Sequence, residues 1–133
     1  NPLVKGISYV GLNKKQIKIK NMAKLGDLKL KGCSGKEYSF QVYSLGTTFK
    51  VIGGVYYISK RTVTDNKGSH EKIYIGITDD FSTRFNNHHK ANCFKNHNAN
   101  CISVLVENNK SKREEIERDL LCTYDCPCNE KLN

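Results

Sequence analysis

The sequence predicts an α/β fold, a small central antiparallel β-sheet flanked by helices, behind a basic N-terminal arm. Three observations carry that prediction. Short β-branched and aromatic segments recur at 38–43, 55–58, 73–77 and 101–106, each too short for a helix of ordinary length. Two of them are followed by helix-start signals, Thr78-Asp79-Asp80 and Ser111-Lys112-Arg113-Glu114. Charge is also unevenly placed. Residues 1–60 hold 11 Lys and no Arg against Asp27 and Glu37, whereas residues 61–133 hold 11 basic and 11 acidic residues, so the whole net charge of +9 lies in the first half.

In chain order, residues 1–36 form the Lys-rich arm and 37–133 a single domain. A chain of 133 residues is one domain's worth and buries roughly two-thirds of its unfolded surface. Gln16-Ile17-Lys18-Ile19-Lys20 and Leu28-Lys29-Leu30-Lys31 alternate apolar with basic. As strands they present leucine and isoleucine inward and lysine outward, although a helix across 14–25 fits the first segment equally. Tyr38, Phe40 and Val42 alternate with polar neighbours, a half-buried strand expected at the sheet edge. Gly53-Gly54 opens the strand 55–59, the polar stretch 60–72 reads as a long hairpin loop, and 73–77 returns with Ile73, Ile75 and Ile77 on one face. A helix is expected over 80–91, with Phe81 and Phe85 facing the core and Arg84 and His88 one turn apart beside them. The apolar run 101–106 is a central strand, Ser111 caps a helix over 112–124, and Pro127 ends regular structure.

No stretch approaches the ~20 apolar residues of a membrane helix, and no basic–apolar–small leader is visible. A start at Asn1 rather than Met reads as a trimmed end, and an intracellular, cytoplasmic location is expected. The six cysteines are expected to be free thiols. Cys122, Cys126 and Cys128, with Cys93 and His97 upstream, offer a zinc set as a second reading, and disulfides are the third. The basic first half is the footprint of a polyanion partner, or else a solubilising arm.

The chemistry-bearing residues cluster late. On the last helix Ile116, Leu120, Leu121 and Tyr124 form an apolar arc, and Glu117 falls near its middle. An inward carboxylate is costly unless it pairs, for instance with Arg84 or Arg113, or binds a cation. Tyr56 and Tyr74 fall on neighbouring strands beside Gly54 and Gly76, and strand glycines admit close approach of a ligand. Phenols, an Arg, a His and a carboxylate together suit phosphodiester hydrolysis.

At these residues the chain resembles the GIY-YIG nucleases. The motifs stand as Gly54-Val55-Tyr56 and Tyr74-Ile75-Gly76, followed by Arg84 and His88, then Glu117, Pro127 and Asn129. The resemblance spans about residues 54–129. Two features depart from the family pattern: the segment between the tyrosine strands is long, and Cys128 stands where an aromatic residue is common. The resemblance implies a metal-dependent DNA endonuclease. Tyr56, assisted by His88 or Tyr74, would orient or deprotonate the attacking water, and Arg84 would neutralise the phosphate. Glu117 would hold Mg²⁺ (or Mn²⁺), and Asn129 would buttress the site. DNA is the implied partner, with Lys14, Lys15, Lys18, Lys20, Lys29 and Lys31 as its basic contacts. Duplex cleavage would need a homodimer or two visits. Two alternatives from other classes are an inactive DNA-binding module on the same scaffold, which would not need an inward Glu117, and a small zinc protein.

Overall fold

The computed structural model describes residues 3–4, 24–85 and 87–130. Its centre is a five-stranded, fully antiparallel sheet in the order β1-β2-β5-β3-β4. The strands are β1 Gly26–Lys31, β2 Glu37–Ser44, β3 Gly54–Thr64, β4 Lys67–Thr78 and β5 Cys101–Val106. Helix α1, Phe81–Arg84, and α2, Ala91–Asn96, lie between β4 and β5, and α3, Lys110–Thr123, follows β5.

Both faces of the sheet are covered, which explains why β3 is buried from Gly54 to Ser59 without alternation. One face packs Tyr43, Tyr56, Ile58, Tyr74 and Ile102 against Phe81, Phe94, Phe49 and Leu3. The other packs Phe40, Val55, Tyr57 and Ile75 against Leu120 and Cys126. The 101–106 run is the middle strand, as its continuous apolar character predicts. The 38–43 segment is not the edge, because β1 pairs outside it with Leu28 and Leu30 inward and Lys29 and Lys31 exposed. Lys14, Lys15, Lys18 and Lys20, and with them the strand-or-helix question at 14–25, lie outside the described residues.

The expected loop at 60–72 is instead a two-stranded ribbon. Its ladder runs to Thr64↔Lys67, closed by Asp65 and Asn66 with φ of 51° and 64°. Two left-handed residues in a two-residue turn match the twist of the strands, so polar residues continue the hairpin without any apolar face. Asn100 supports its base by accepting from Arg61 N at 2.6 Å and donating to Arg61 O at 3.0 Å. The register slips between Ile58 and Ser59, which leaves Ile73 without a partner in the ladder. This bulge turns Ile73 onto the Tyr74 face, away from Ile75 and Ile77.

The helix expected over 80–91 stops after one turn. Asp80 caps it as the sequence suggests, its carboxylate accepting from Ser82 N at 2.8 Å. Asn87, at φ 60°, then takes the left-handed conformation that asparagine tolerates, and a second helix begins at Ala91. The last helix starts at Lys110, not after Ser111. Asn109 reaches Lys112 N at 3.0 Å and so takes the capping role.

The free-thiol expectation fails for four cysteines. Cys33 is bonded to Cys122 and Cys93 to Cys128, while Cys101 and Cys126 are buried and free. Cys122, Cys126 and Cys128 are thus close in sequence but have separate surroundings, so they make no zinc set. Both bridges fasten peripheral elements, α3 to the β1–β2 turn and α2 to the segment after α3. Among the described residues no helix is long and apolar enough to cross a membrane.

Candidate active site

The first corner of the site is built on β3 and β4. Tyr56 stands opposite Gly76 across the ladder, and its hydroxyl lies directly over that glycine. A Cβ on Gly76 would sit 2.5 Å from the Tyr56 hydroxyl and 2.7 Å from Tyr74 Cε2. On Gly54 it would strike the Leu105 carbonyl and the Phe81 ring. Both glycines therefore make room for the protein's own groups, not for an approaching ligand. Gly76→Ala should cost about 1–3 kcal/mol by overpacking and push Tyr56 off its partner. Gly26→Ala is the control in a urea melt, since nothing lies within 4 Å of a Cβ there.

Nor are the phenols on an open face. Tyr56 is 0% exposed, His88 5% and Tyr74 8%, walled by Phe85 and Phe94. His88 comes from the turn after Asn87 rather than from the helix of Arg84. Its Nδ1 accepts the Lys90 backbone N–H at 3.0 Å. In the neutral ring the proton must then be on Nε2, which donates to the Tyr56 oxygen at 2.7 Å. Burial and the charges of Arg84, His89 and Lys90 hold His88 down to about 4, so the neutral ring prevails at neutral pH.

Burial pushes the Tyr56 phenol far above its usual value; the nearby Tyr74 adds to this and Arg84 opposes it. Tyr74 is raised too, again by burial first, but the hydrogen bond from Tyr56 and the Arg84 charge pull it down. His88 Nε2–H thus holds the Tyr56 oxygen, and the Tyr74 ring packs against both, its centroid 5.9 Å from that of Tyr56 and 5.3 Å from that of His88. Tyr74 is the least buried of the three, and the Arg84 charge acts on both phenols. Arg84 also approaches His89 Nδ1 at 3.4 Å.

Glu117 lies on the half-buried flank of α3 in a cleft with Glu114, Arg118 and Glu130. It forms no ion pair with Arg84 or Arg113 among the described residues. Arg113 instead donates to the carbonyls of Glu107 and Asn108 at 3.0 and 3.2 Å. Burial first, then Glu114, raises the Glu117 carboxyl, and its charge reaches the Tyr74 phenol. Asn129 meets the open edge of β4, accepting from Ile75 N and donating to Ile75 O, both at 2.9 Å. That double bond mimics a strand partner and fixes the residue between Tyr74 and Gly76.

The fold therefore brings Tyr56, Tyr74, Arg84 and His88 into one corner, with Glu117 and Asn129 along the β4 edge. Lys29 and Lys31 lie on β1 at the opposite edge, four strand spacings or about 19 Å away. Sequence reasoning missed Lys90, whose backbone N–H sets the His88 tautomer, and Glu130, which pairs with Lys90 at 3.8 Å and faces Tyr74 electrostatically. Neither carries a motif signal. No protein-family model, curated protein or solved structure matches this chain.

Proposed function

We propose that this chain is a metal-dependent DNA endonuclease of the GIY-YIG type. One arrangement supports the reading above all: the hydrogen-bonded Tyr56–His88 pair and Tyr74 lie under the Arg84 charge, with Glu117, which has no ion-pair partner among the described residues, facing the Tyr74 phenol electrostatically. The Arg84 charge pulls against the raised value of both phenols and so favours negative charge there. Tyr74 orients the attacking water and, as the phenolate left when its own proton goes to solvent, takes the water's proton as the water oxygen bonds to phosphorus and the bond to the leaving 3′ oxygen breaks. Tyr56, locked by His88, packs against that ring and fixes its position. Arg84 offsets the charge growing on the non-bridging oxygens. Asn129 keeps the Tyr74-Ile75-Gly76 backbone in place.

Glu117 suits a hard divalent cation as a single carboxylate ligand, since it has no ion-pair partner among the described residues; Glu114 and Glu130 line the same cleft without converging on it, so water and substrate phosphate would complete the shell. Mg²⁺ (or Mn²⁺) held there would supply positive charge for the leaving 3′ oxygen. DNA contacts fall to the Lys-rich first half and to the ribbon, where Lys60, Arg61, Lys67 and Lys72 extend from the strands that carry both tyrosines. A single site cuts one strand, so a duplex break takes a homodimer or two visits. The two disulfides favour an oxidising compartment over the cytoplasm expected from sequence.

Supercoiled plasmid incubated with Mg²⁺ tests the reading, with EDTA as the control arm. Nicked circles that precede linear product, and that vanish with EDTA, are the expected result. Plasmid bound but uncut with Mg²⁺ and with Mn²⁺ would replace the enzyme with the DNA-binding module.

A further inference from the structure

We infer that Cys93, His97 and Cys128 form a zinc site that replaces the Cys93–Cys128 disulfide when the chain is reduced. The two sulfurs and a ring nitrogen of His97 all lie within 4.8 Å of one another. A disulfide needs no imidazole beside it, and no hydrogen bond or ion pair to another described residue occupies the His97 ring. Tetrahedral zinc with thiolates at about 2.3 Å and imidazole at about 2.0 Å places those donors about 3.5–3.8 Å apart. The site therefore needs the sulfurs to separate by about 1.7 Å from disulfide bonding distance and the imidazole nitrogen to close by at most about 1.3 Å.

The local structure permits this. Cys93 and His97 are four residues apart at the end of α2, on one face of the last turn. The backbone holds their spacing through His97 N donating to Cys93 O at 3.1 Å. Cys128 is fixed independently by its own N–H, which donates to Ile73 O at 3.0 Å. Neither anchor depends on the sulfur–sulfur bond.

The exchange balances simply. Two molecules of a small thiol reduce the bridge, forming their own disulfide and leaving two cysteine thiols. Zn²⁺ then binds both sulfurs as thiolates and the neutral imidazole, and two protons go to solvent. Three protein ligands leave the fourth position to water. Either form clasps α2 to the C-terminal segment. Phe94, beside Cys93, packs on Tyr74 and His88, and Asn129, beside Cys128, holds Ile75, so the clasp flanks the tyrosine corner from both sides. The proposal stands whether or not the chain cuts DNA.

Titration of the fully reduced whole chain with Co²⁺, followed by Zn²⁺ displacement, tests it. A thiolate-to-cobalt charge-transfer band at one equivalent is expected, with a melting temperature that rises when Zn²⁺ is added. His97→Ala removes a surface side chain and should leave the fold intact. It should weaken binding by more than the roughly 10–100-fold that loss of an outer partner costs. Cys93→Ser with Cys128→Ser should abolish the band, while Cys33→Ser with Cys122→Ser should retain it. A band that survives His97→Ala at unchanged affinity, or that follows the Cys33 pair, would overturn the site. So would a reduced chain that takes up no Co²⁺.

Discussion

Tyr74→Phe should lose about 10²–10⁴ in single-turnover cleavage while folding and binding DNA as the parent does. The substitution removes the phenol of the more exposed of the two site tyrosines, on which the charges of Arg84 and Glu117 both act. Tyr56→Phe is the informative partner. It leaves His88 Nε2–H without an acceptor in a buried site, which costs about 1–3 kcal/mol, and it removes the bond that fixes the ring packed against Tyr74. Tyr56→Phe should therefore melt earlier and cut slower, while Tyr74→Phe only cuts slower. A Tyr74→Phe protein at parental rate beside a dead but stable Tyr56→Phe would assign the water to Tyr56.

The His88–Tyr56 hydrogen bond makes a pH prediction. His88 is depressed from 6.5 to about 4, so the folded chain binds fewer protons than the unfolded chain between those values. Its contribution to stability is complete above 6.5 and is lost as pH falls towards and through about 4. The cleavage rate should accordingly show no inflection near 6.5. Such an inflection, abolished by His88→Gln, would mean that the imidazole titrates as a base.

What the sequence made legible was what depends on local pattern. Apolar runs placed β3, β5 and the end of β4, and the Asp80 oxygens placed the start of α1. The departures arise where long-range geometry competes with pattern. Ile73 obeys period two in sequence, yet a bulge two strands from the sheet centre turns it over. Ser111 satisfies the capping-box spelling, but Asn109 reaches the same turn first. The cysteines show the limit most plainly, because Cys33 meets Cys122 across 89 residues and no spacing rule could pair them. In the site, Tyr56, Tyr74, Arg84 and His88 were each marked by motif position. Their mutual orientation was not, because it hangs on the Lys90 backbone N–H and on the room that Gly76 leaves for the Tyr56 hydroxyl.

Glu117→Gln should abolish cleavage and leave the fold equally or more stable. Its carboxyl is raised above the usual 4.5 by burial and by Glu114, so the folded state disfavours the charge that the unfolded chain carries freely. For a carboxyl shifted in that direction, stability falls as pH rises from the unfolded value through the folded one, and the penalty persists at neutral pH. Gln keeps the shape, removes the penalty, and removes with it the anionic ligand that suits a divalent cation. Less negative charge beside the bound phosphate should also leave DNA affinity equal or higher. An ion-paired Glu117 would behave in the opposite way, since breaking a buried pair strands the partner at a cost of about 3–5 kcal/mol. A melting curve and a plasmid assay on this one variant separate the two. A destabilised Glu117→Gln protein that still nicks plasmid would remove Glu117 from the cation site and leave Glu114, on the same cleft, as the carboxylate to change next.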